Sequence, residues 1–286
     1  MTKLDQFASA FKSAAKAVYD HTTMTIGKVM VITDLQGDRA RRYGQDVADF
    51  LHILDKRDGV QWHEHGTQLG EDVGELLEDI ERERPDLICC YRNLHGPARA
   101  FPFSLGAHVD VLTQATTTPV LLLPLPTNAG RLPASCENTD TVLVLTDHLT
   151  GSDRLVDYAV HFTGAGGTLV LAHLEDDAMF ERYLDVISKI PSIDTDEARE
   201  RIRSQLCKEP RDYIRSVRET LSAAVPNLTI TKEVRMGHRV ADCKQLVEDH
   251  DVDLVVMNTK DDDQLAMHGL AHPIAVELRS IPLLLL

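Results

Sequence analysis

Short aliphatic runs alternate with amphipathic stretches along most of the chain. The run Val29–Ile32, like several later ones, is continuous rather than alternating, which is typical of a parallel strand covered on both faces. The stretch that follows carries Tyr43, Val47 and Phe50 at helical spacing. Strands separated by helices indicate parallel βαβ units with right-handed crossovers. The pattern therefore predicts an α/β fold.

The pattern occurs twice along the chain. Each copy opens with an apolar strand that ends in Thr-Asp, at Asp34 and again at Asp147, and continues with a glycine and an amphipathic helix. Two further landmarks recur in the same order, an Asp-Leu strand and a Pro-led final strand. They lie at Pro85–Cys90 and Pro119–Leu123 in the first copy, and at Val252–Met257 and Pro282–Leu286 in the second. Matched landmarks in one order predict two tandem, related domains.

The segment Pro124–Asp140 separates the copies, because it holds three prolines, a glycine and little periodicity. We predict four parts: an N-terminal amphipathic helix (1–25), a first domain (26–127), a linker (128–139) and a second domain (140–286). The N-terminal helix is predicted from apolar residues at helical spacing, which are Leu4, Phe7, Phe11 and Val18. Each domain is expected to hold an open, mainly parallel sheet of the five-stranded type, with helices on both faces.

The first copy is the shorter one. Between its first strand and its Asp-Leu strand, Val60–His65 is the one strand that we predict. The second copy has room for Thr168–Leu174, a helical region at 175–225 that Pro210 is expected to break or kink, and Leu228–Val234. We predict that the first copy lacks one β–α unit and, with it, the second strand. We also predict that the N-terminal helix covers the core surface which this loss exposes.

The net charge and the spacing of the cysteines limit the classes of function that we expect for this chain. The formal charge is −15 at pH 7, and such a surface repels phosphate backbones, so we expect no binding to nucleic acids. A single nucleotide stays open, because backbone N–H groups in a turn can hold phosphate without lysine. The cysteines have no CxxC spacing, and no apolar run approaches the roughly 20 residues that span a bilayer. We therefore expect a cytoplasmic protein with no membrane contact.

These landmarks resemble the universal stress protein family from Lys28 onward. In ATP-binding members, the loop after the fourth strand has Gly, two residues, Gly, nine residues, then Gly followed by Ser or Thr. The first copy has Asn93, Gly96, Gly106 and Ala107 at these positions, so the spacing is kept while two residue types change. Asn93 can adopt the left-handed conformation that glycine would supply, whereas Ala107 removes a hydroxyl donor.

The second copy departs further from the family's loop. Asn258–Asp263 places three carboxylates where phosphate would lie, and Gly269 comes two positions early. The copy keeps Asp147 and a second strand that ends at Leu174, and the resemblance implies that these contact adenine and ribose. Each copy thus holds part of a nucleotide site. The nucleotide-binding residues that the resemblance implies are Asp34, Asn93, Gly96, Gly106, Ala107 and Asp147.

Other candidate residues have more than one interpretation. The first-strand residues Asp34 and Asp147 are either ligand-facing carboxylates at the carboxyl ends of strands or turn residues that cap the next helix. Two histidine pairs have spacings that suit a metal. The first, on a strand, has no identifiable third ligand; the second lies close to Asp261–Asp263, but Gly269 and Pro273 disfavour the helix that it would need. These pairs are His63 with His65 and His268 with His272. We interpret them as polar surface histidines and predict no metal site.

The resemblance predicts a non-catalytic stress-response or regulatory module with degenerate nucleotide sites, no required cofactor and at most weak ATPase activity. The alternative is an ATP or AMP sensor that uses the first-copy loop. In the family, domains pair through their last strands, and an unpaired edge as apolar as Pro119–Leu123 invites aggregation. We therefore predict that Pro119–Leu123 and Pro282–Leu286 meet within one chain as a pseudo-dimer, which acts through protein partners or self-association.

Overall fold

The computed structural model describes residues 17–67, 73–96, 101, 103–146, 149–237, 239–259 and 271–286. The strands of the first half are β1 (Lys28–Thr33), β2 (Gln61–Gly66), β3 (Leu87–Tyr91) and β4 (Val120–Leu123). Those of the second half are β5 (Thr141–Thr146), β6 (Thr168–Asp176), β7 (Thr229–Gly237), β8 (Leu254–Met257) and β9 (Leu283–Leu285).

Helices connect these strands in the order that the pattern predicts. The helices of the first half are α1 (Asp38–Phe50), α2 (His52–Asp58), α3 (Val73–Glu83) and α4 (Ala107–Ala115). Those of the second half are α5 (Asp153–Phe162), α6 (Asp177–Ser188), α7 (Thr195–Ala224), α8 (Arg239–Asp249) and α9 (Ala271–Glu277). The predicted α/β class is confirmed, with mainly parallel strands flanked by helices.

In the described part of the chain, the two halves share one nine-stranded sheet of order β2-β1-β3-β4-β9-β8-β5-β6-β7. All neighbouring strands run parallel except β4 and β9, which pair antiparallel with Val120 opposite Leu285. The last strands of the two halves therefore meet within one chain, as the sequence predicts. Their side chains are buried, and the edges that these leucine-rich strands would otherwise expose are closed.

The first half has one strand fewer than the second among the described residues, which agrees with the predicted loss of a β–α unit. The prediction that its second strand is lost is wrong. Strand β2 pairs with β1 from Lys28 opposite Gln61, just as β6 pairs with β5 from Thr141 opposite Thr168. The missing strand is the outer one, the counterpart of β7. Without it, β2 is an edge strand, and its polar residues suit an edge rather than a covered position.

The repeated Asp-Leu landmark has a structural role. Asp86 accepts hydrogen bonds from the backbone N–H groups of Gly27 and Lys28, at 2.9 Å each. Asp253 accepts one from Thr141 at 2.8 Å, at the equivalent place in the second half. Each aspartate thus ties the start of the strand that follows it to the start of the first strand in the same half. Burial raises the pKa of Asp253.

The described part of the N-terminal segment contacts the second half of the chain. Residues 17–27 form no helix, so the predicted helix does not extend to residue 25, and Val18 is 68% exposed. The buried Tyr19 donates its hydroxyl to Asp157 at 2.5 Å, and its backbone N–H donates to Ser216 Oγ at 3.0 Å. The rest of the predicted helix, and the cover over the first half that we expected from it, lie outside the described residues.

The helical region of the second half forms two helices, α6 and α7. Pro210 lies inside α7, which continues through it, so the proline does not break the helix. Ile214, Val217 and Leu221 are buried, as their predicted stripe requires, while Ile202 and Leu206 are half-buried. Helix α7 therefore packs on the core mainly through its C-terminal half.

Side chains from α2 also join the halves. Arg57 donates to the backbone carbonyls of His161 at 2.7 Å and Thr163 at 3.0 Å, at the end of α5. Asp58 lies within 2.7 Å of His161 Nε2 and accepts from the backbone N–H of Ile26 at 3.0 Å. A cation at the carboxyl end of a helix also interacts favourably with the helix dipole. Polar contacts thus reinforce the shared sheet.

The shared sheet predicts that the halves unfold together. Leu284 is fully buried between Leu121 and Val256, so Leu284→Ala should lower the free energy of unfolding by about 2–5 kcal/mol. The single tryptophan, Trp62, lies in the other half and should report the same loss in a urea titration followed by fluorescence. Leu125, which is 43% exposed, provides the control, since Leu125→Ala should change stability by less than about 0.5 kcal/mol. An unchanged Trp62 transition would mean that the halves unfold independently.

Candidate functional site

The candidate site lies at the carboxyl ends of β1 and β3, in the first half. Open α/β sheets bind ligands at this edge, in the crevice outside the strand ends. Asp34 follows β1, and the loop 92–106 connects β3 to α4. The structure therefore brings Asp34 together with Asn93, Gly96 and Gly106, as the resemblance implies.

The carboxylate of Asp34 is bound by the chain itself. Its Oδ1 accepts the hydroxyl of Tyr91, and its Oδ2 accepts the backbone N–H of His95 at 2.7 Å. It does not cap the next helix, because α1 begins after Gly37 with no side-chain cap hydrogen bond. Of the two interpretations of Asp34, the helix cap is wrong. The carboxylate holds the loop that follows β3.

Tyr91 is a neutral donor in this arrangement. Burial raises the pKa of its hydroxyl well above the ordinary value, and the nearby Asp34 carboxylate raises it further. The phenol oxygen also lies 3.2 Å from Thr33 Oγ1 and accepts the backbone N–H of Asp34 at 3.1 Å. Tyr91 therefore fixes the turn that leaves β1 to the end of β3.

Asn93 has the left-handed conformation that the sequence predicts, with φ 56°. Its backbone N–H donates to the carbonyl of Leu105 at 2.7 Å, and its side-chain amide donates to the carbonyl of Ser104 at 3.0 Å. The N–H of Gly96 returns to the carbonyl of Asn93 at 2.8 Å. Asn93 thus draws the two ends of the loop together.

Gly106 is required by close packing as well as by its conformation. Its φ is 91°, and a Cβ at this position would lie 2.8 Å from Asn93 Cα. Its N–H donates to Ser104 Oγ at 3.1 Å. Ala107 follows as the exposed first residue of α4. The loop geometry therefore depends on Asn93 and Gly106 together.

Four backbone donors of the loop are already used. The N–H groups of Asn93, His95, Gly96 and Gly106 all donate to acceptors within the chain. An anion at this loop needs such N–H groups pointing towards it. A phosphate bound to these four N–H groups would have to displace internal hydrogen bonds, including the one from His95 to Asp34.

His95 is a site residue that the sequence interpretation missed. Its Nε2 lies 2.7 Å from Thr67 Oγ1, just beyond β2, and its ring lies 5.4 Å from that of His108 on α4. Its backbone has φ 55°, unusual for a residue with a side chain. A histidine between Asn93 and Gly96 was the available signal. Through Asp34 and Thr67, His95 links the loop to the ends of β1 and β2.

Arg92 is a second residue that the sequence interpretation missed. It is buried, with 4% of its surface exposed, and donates to the carbonyls of Ala275 and, at 2.5 Å, Leu278. These carbonyls lie at the end of α9 in the second half, where the helix dipole favours a cation. Burial, with a smaller contribution from the charge of Arg279, lowers the pKa of Arg92 to about 10. The loop is therefore anchored across the junction between the halves.

Only part of the equivalent edge of the second half is described. Asp147, residues 260–270 and the predicted metal candidate His268 lie outside the described residues. Thr259 donates its N–H and its hydroxyl to the carbonyl of Leu286, at 2.9 and 2.7 Å. The start of this loop is thus held against the end of β9, and the interpretation of Asp147 stays a prediction.

The remaining candidate histidines are dispersed. His272 is exposed on α9, and His65 Nδ1 lies 3.5 Å from Asp79. Among the described residues, no group of three His, Cys, Asp or Glu side chains could hold a metal ion. Cys89 and Cys90 are fully buried in β3. Within the same residues, no helix is both long and apolar enough to cross a bilayer.

The fold and this edge define an α/β protein of two similarly built halves, with the loop 92–106 at the carboxyl ends of the strands of its first half. Residues 138–271 match the universal stress protein family. The matched part lies in the second half of the chain. A search of the curated proteins gave no match.

Two solved structures have a similar fold over both halves. One is a functionally unknown protein from Pseudomonas aeruginosa PAO1, with a TM-score of 0.54 and 13% identity, covering 91% of this chain and 92% of that chain. The other is a universal stress protein from Archaeoglobus fulgidus DSM 4304, with a TM-score of 0.55 and 13% identity, covering 92% of this chain and 97% of that chain. At this identity the similarity establishes the fold.

Close packing at Gly106 gives a prediction with a matched control. Gly106→Ala and Gly37→Ala both place a side chain at positive φ, which costs about 1–3 kcal/mol. The new Cβ also meets the Asn93 backbone at Gly106, whereas nothing lies within 4 Å of it at Gly37. In urea titrations Gly106→Ala should therefore be the more destabilising by at least about 1 kcal/mol. Equal losses of unfolding free energy in the two variants would show that the loop accommodates the new Cβ at no energetic cost.

Proposed function

We propose that this protein is a non-catalytic stress-response or regulatory module whose nucleotide sites have degenerated. The observation that carries the proposal is the internal use of the first-half loop. Its N–H groups at Asn93, His95, Gly96 and Gly106 donate within the chain. These four donors thus serve to hold the loop.

Charge supports the same conclusion. A phosphate that replaced Asp34 at the N–H of His95 would leave the carboxylate nearby, where like charges repel. Arg92, at the start of this loop, is buried and committed to the carbonyls of Ala275 and Leu278. The edge therefore offers the carboxylate of Asp34. Arg92 is not free to balance the negative charge of a triphosphate.

The alternative function is an adenine-nucleotide sensor. It is supported by the spacing of Asn93, Gly96 and Gly106 and by the positive φ of Asn93 and Gly106. Asp34 and Tyr91 would then have to move apart from the loop when a nucleotide binds. This alternative requires no cofactor for folding and at most a slow hydrolysis of ATP.

In the proposed mode of action, the halves work as an intramolecular pseudo-dimer in the cytoplasm. The antiparallel contact of β4 with β9 fixes their relative positions. The surfaces presented to protein partners, or to further copies of the chain, would then be the helical faces of one body. The family match over residues 138–271 supports this general role.

Calorimetric titration with ATP or AMP, in the presence of magnesium, tests the proposal. The wild-type protein should show no saturable heat up to about 1 mM nucleotide, which corresponds to a binding free energy weaker than about −4 kcal/mol. The variant Gly96→Glu, which adds a carboxylate to the loop, should behave in the same way.

Saturable binding by the wild type that Gly96→Glu abolishes would overturn the proposal and establish the nucleotide sensor. Binding that Gly96→Glu leaves unchanged would place a nucleotide elsewhere, and would equally contradict a degenerate protein without nucleotide function. A circular dichroism melt of the variant confirms that it is folded.

A further inference from the structure

A cavity of about 420 Å³ opens at the amino ends of β8 and β9, between α8 and α9. Part of its lining is apolar: Val247, Val252 and Leu278 are buried, and Ile281 is half-buried. Ligand pockets in proteins have volumes of about 300–1,000 Å³ and a mainly apolar lining. The cavity therefore has the size of a small-molecule site. None of its lining residues belongs to the loop 92–106.

Contacts between different elements hold the walls of this cavity. Lys244 on α8 forms an ion pair with Glu277 on α9. Ser135 Oγ donates to the backbone carbonyl of Ser280 at 2.6 Å, in the turn that leads into β9. Arg92 binds the end of α9 from the other half of the chain. The cavity is therefore formed before any ligand arrives, which lowers the cost of binding.

Carboxylates outnumber cations around the cavity. Its lining includes Glu248, Asp251, Asp253 and Glu277, together with Lys244, which pairs with Glu277. Among the described residues, no ion pair joins Glu248 or Asp251 to a cation. Burial, with contributions from the charges of neighbouring aspartates, raises the pKa of Asp253. An excess of negative charge thus lies beside an apolar lining.

We propose that this cavity binds a linear aliphatic diamine. Its methylene chain would lie on the apolar lining, and its ammonium groups would lie at the carboxylates of Glu248, Asp251 and Asp253. Lysine side chains behave in this way, because they place their methylene stem along apolar surface and keep the charged end in a polar environment. Opposite charges attract more strongly at a partly buried site than in bulk water. Shape and charge therefore suit the same ligand.

The lining favours an organic cation over a metal ion. Calcium and magnesium need several oxygen ligands at about 2.0–2.6 Å from the ion. Among the described residues, no group of three His, Cys, Asp or Glu side chains could hold a metal ion. The carboxylates of the cavity are thus placed to attract a cation without chelating it, and the apolar lining rewards an alkyl chain.

Calorimetric titration of the full-length protein with cadaverine at neutral pH tests the proposal. The wild type should bind with a Kd of about 1 mM or lower. The double variant Glu248→Gln with Asp251→Asn should bind at least about tenfold more weakly, because it removes two charges that attract the ammonium groups. Asparagine suits the φ of 47° at Asp251, so this variant should fold.

The matched control is the double variant Glu78→Gln with Glu81→Gln on α3. It removes the same charge from exposed positions in the other half. Its Kd should stay within about twofold of the wild-type value, because charges beyond about 10 Å are screened by salt. Mg²⁺, which has the same charge as cadaverine without the alkyl chain, should give no saturable heat with the wild type. Circular dichroism melts show whether both variants are folded.

Four results would overturn the proposal. The first is no saturable binding of cadaverine by the wild type up to about 10 mM. Unchanged binding by the cavity variant would place the diamine elsewhere, and equal weakening in both double variants would mean that net charge alone attracts it. Saturable Mg²⁺ binding that the cavity variant abolishes would assign the carboxylates to a metal ion. None of these results depends on the nucleotide titration, which concerns the loop 92–106.

Discussion

The antiparallel pairing of β4 with β9 is the contact on which the rest of the structure depends. Both strands are wholly buried aliphatic segments, and either would be an aggregation-prone edge in an isolated half. Their pairing turns two open sheets into one and brings the end of α9 within reach of the loop after β3. The contacts of Arg57 and Arg92 across the halves are available only because this pairing sets the halves side by side.

The rest of the sheet could be predicted where burial dictates the residues. Strands β1, β3, β4, β5, β8 and β9 are covered on both faces, so continuous aliphatic runs reveal them. The position of β2 could not be predicted in this way. Its polar sequence, Gln61–Gly66, resembles no second strand, because the loss of the outer strand has made it an edge. The polarity of a strand depends on whether it has neighbours on both sides, and the strand order is known only from the assembled sheet.

The same distinction applies to the candidate site. The spacing of Asn93, Gly96 and Gly106 predicted the loop, and the left-handed conformation of Asn93 followed from the residue type, since both are local properties. The hydrogen-bond partners of Asp34 depend on where β3 and its loop lie in space. The local sequence also allowed Asp34 to cap the next helix, and that interpretation was wrong. The role of Arg92 depends on α9, nearly two hundred residues later, and no local pattern announces it.

These contacts give the loop after β3 a structural role of its own. The family match covers the second half, whose loop departs most from the family spacing, while the first half keeps the spacing with altered residues. In the first half, the loop binds Asp34 through His95 and the end of α9 through Arg92. The geometry of Asn93 and Gly106 then serves the junction between the halves. A loop held by such contacts keeps its shape for structural reasons, so its spacing alone is weak evidence for nucleotide binding.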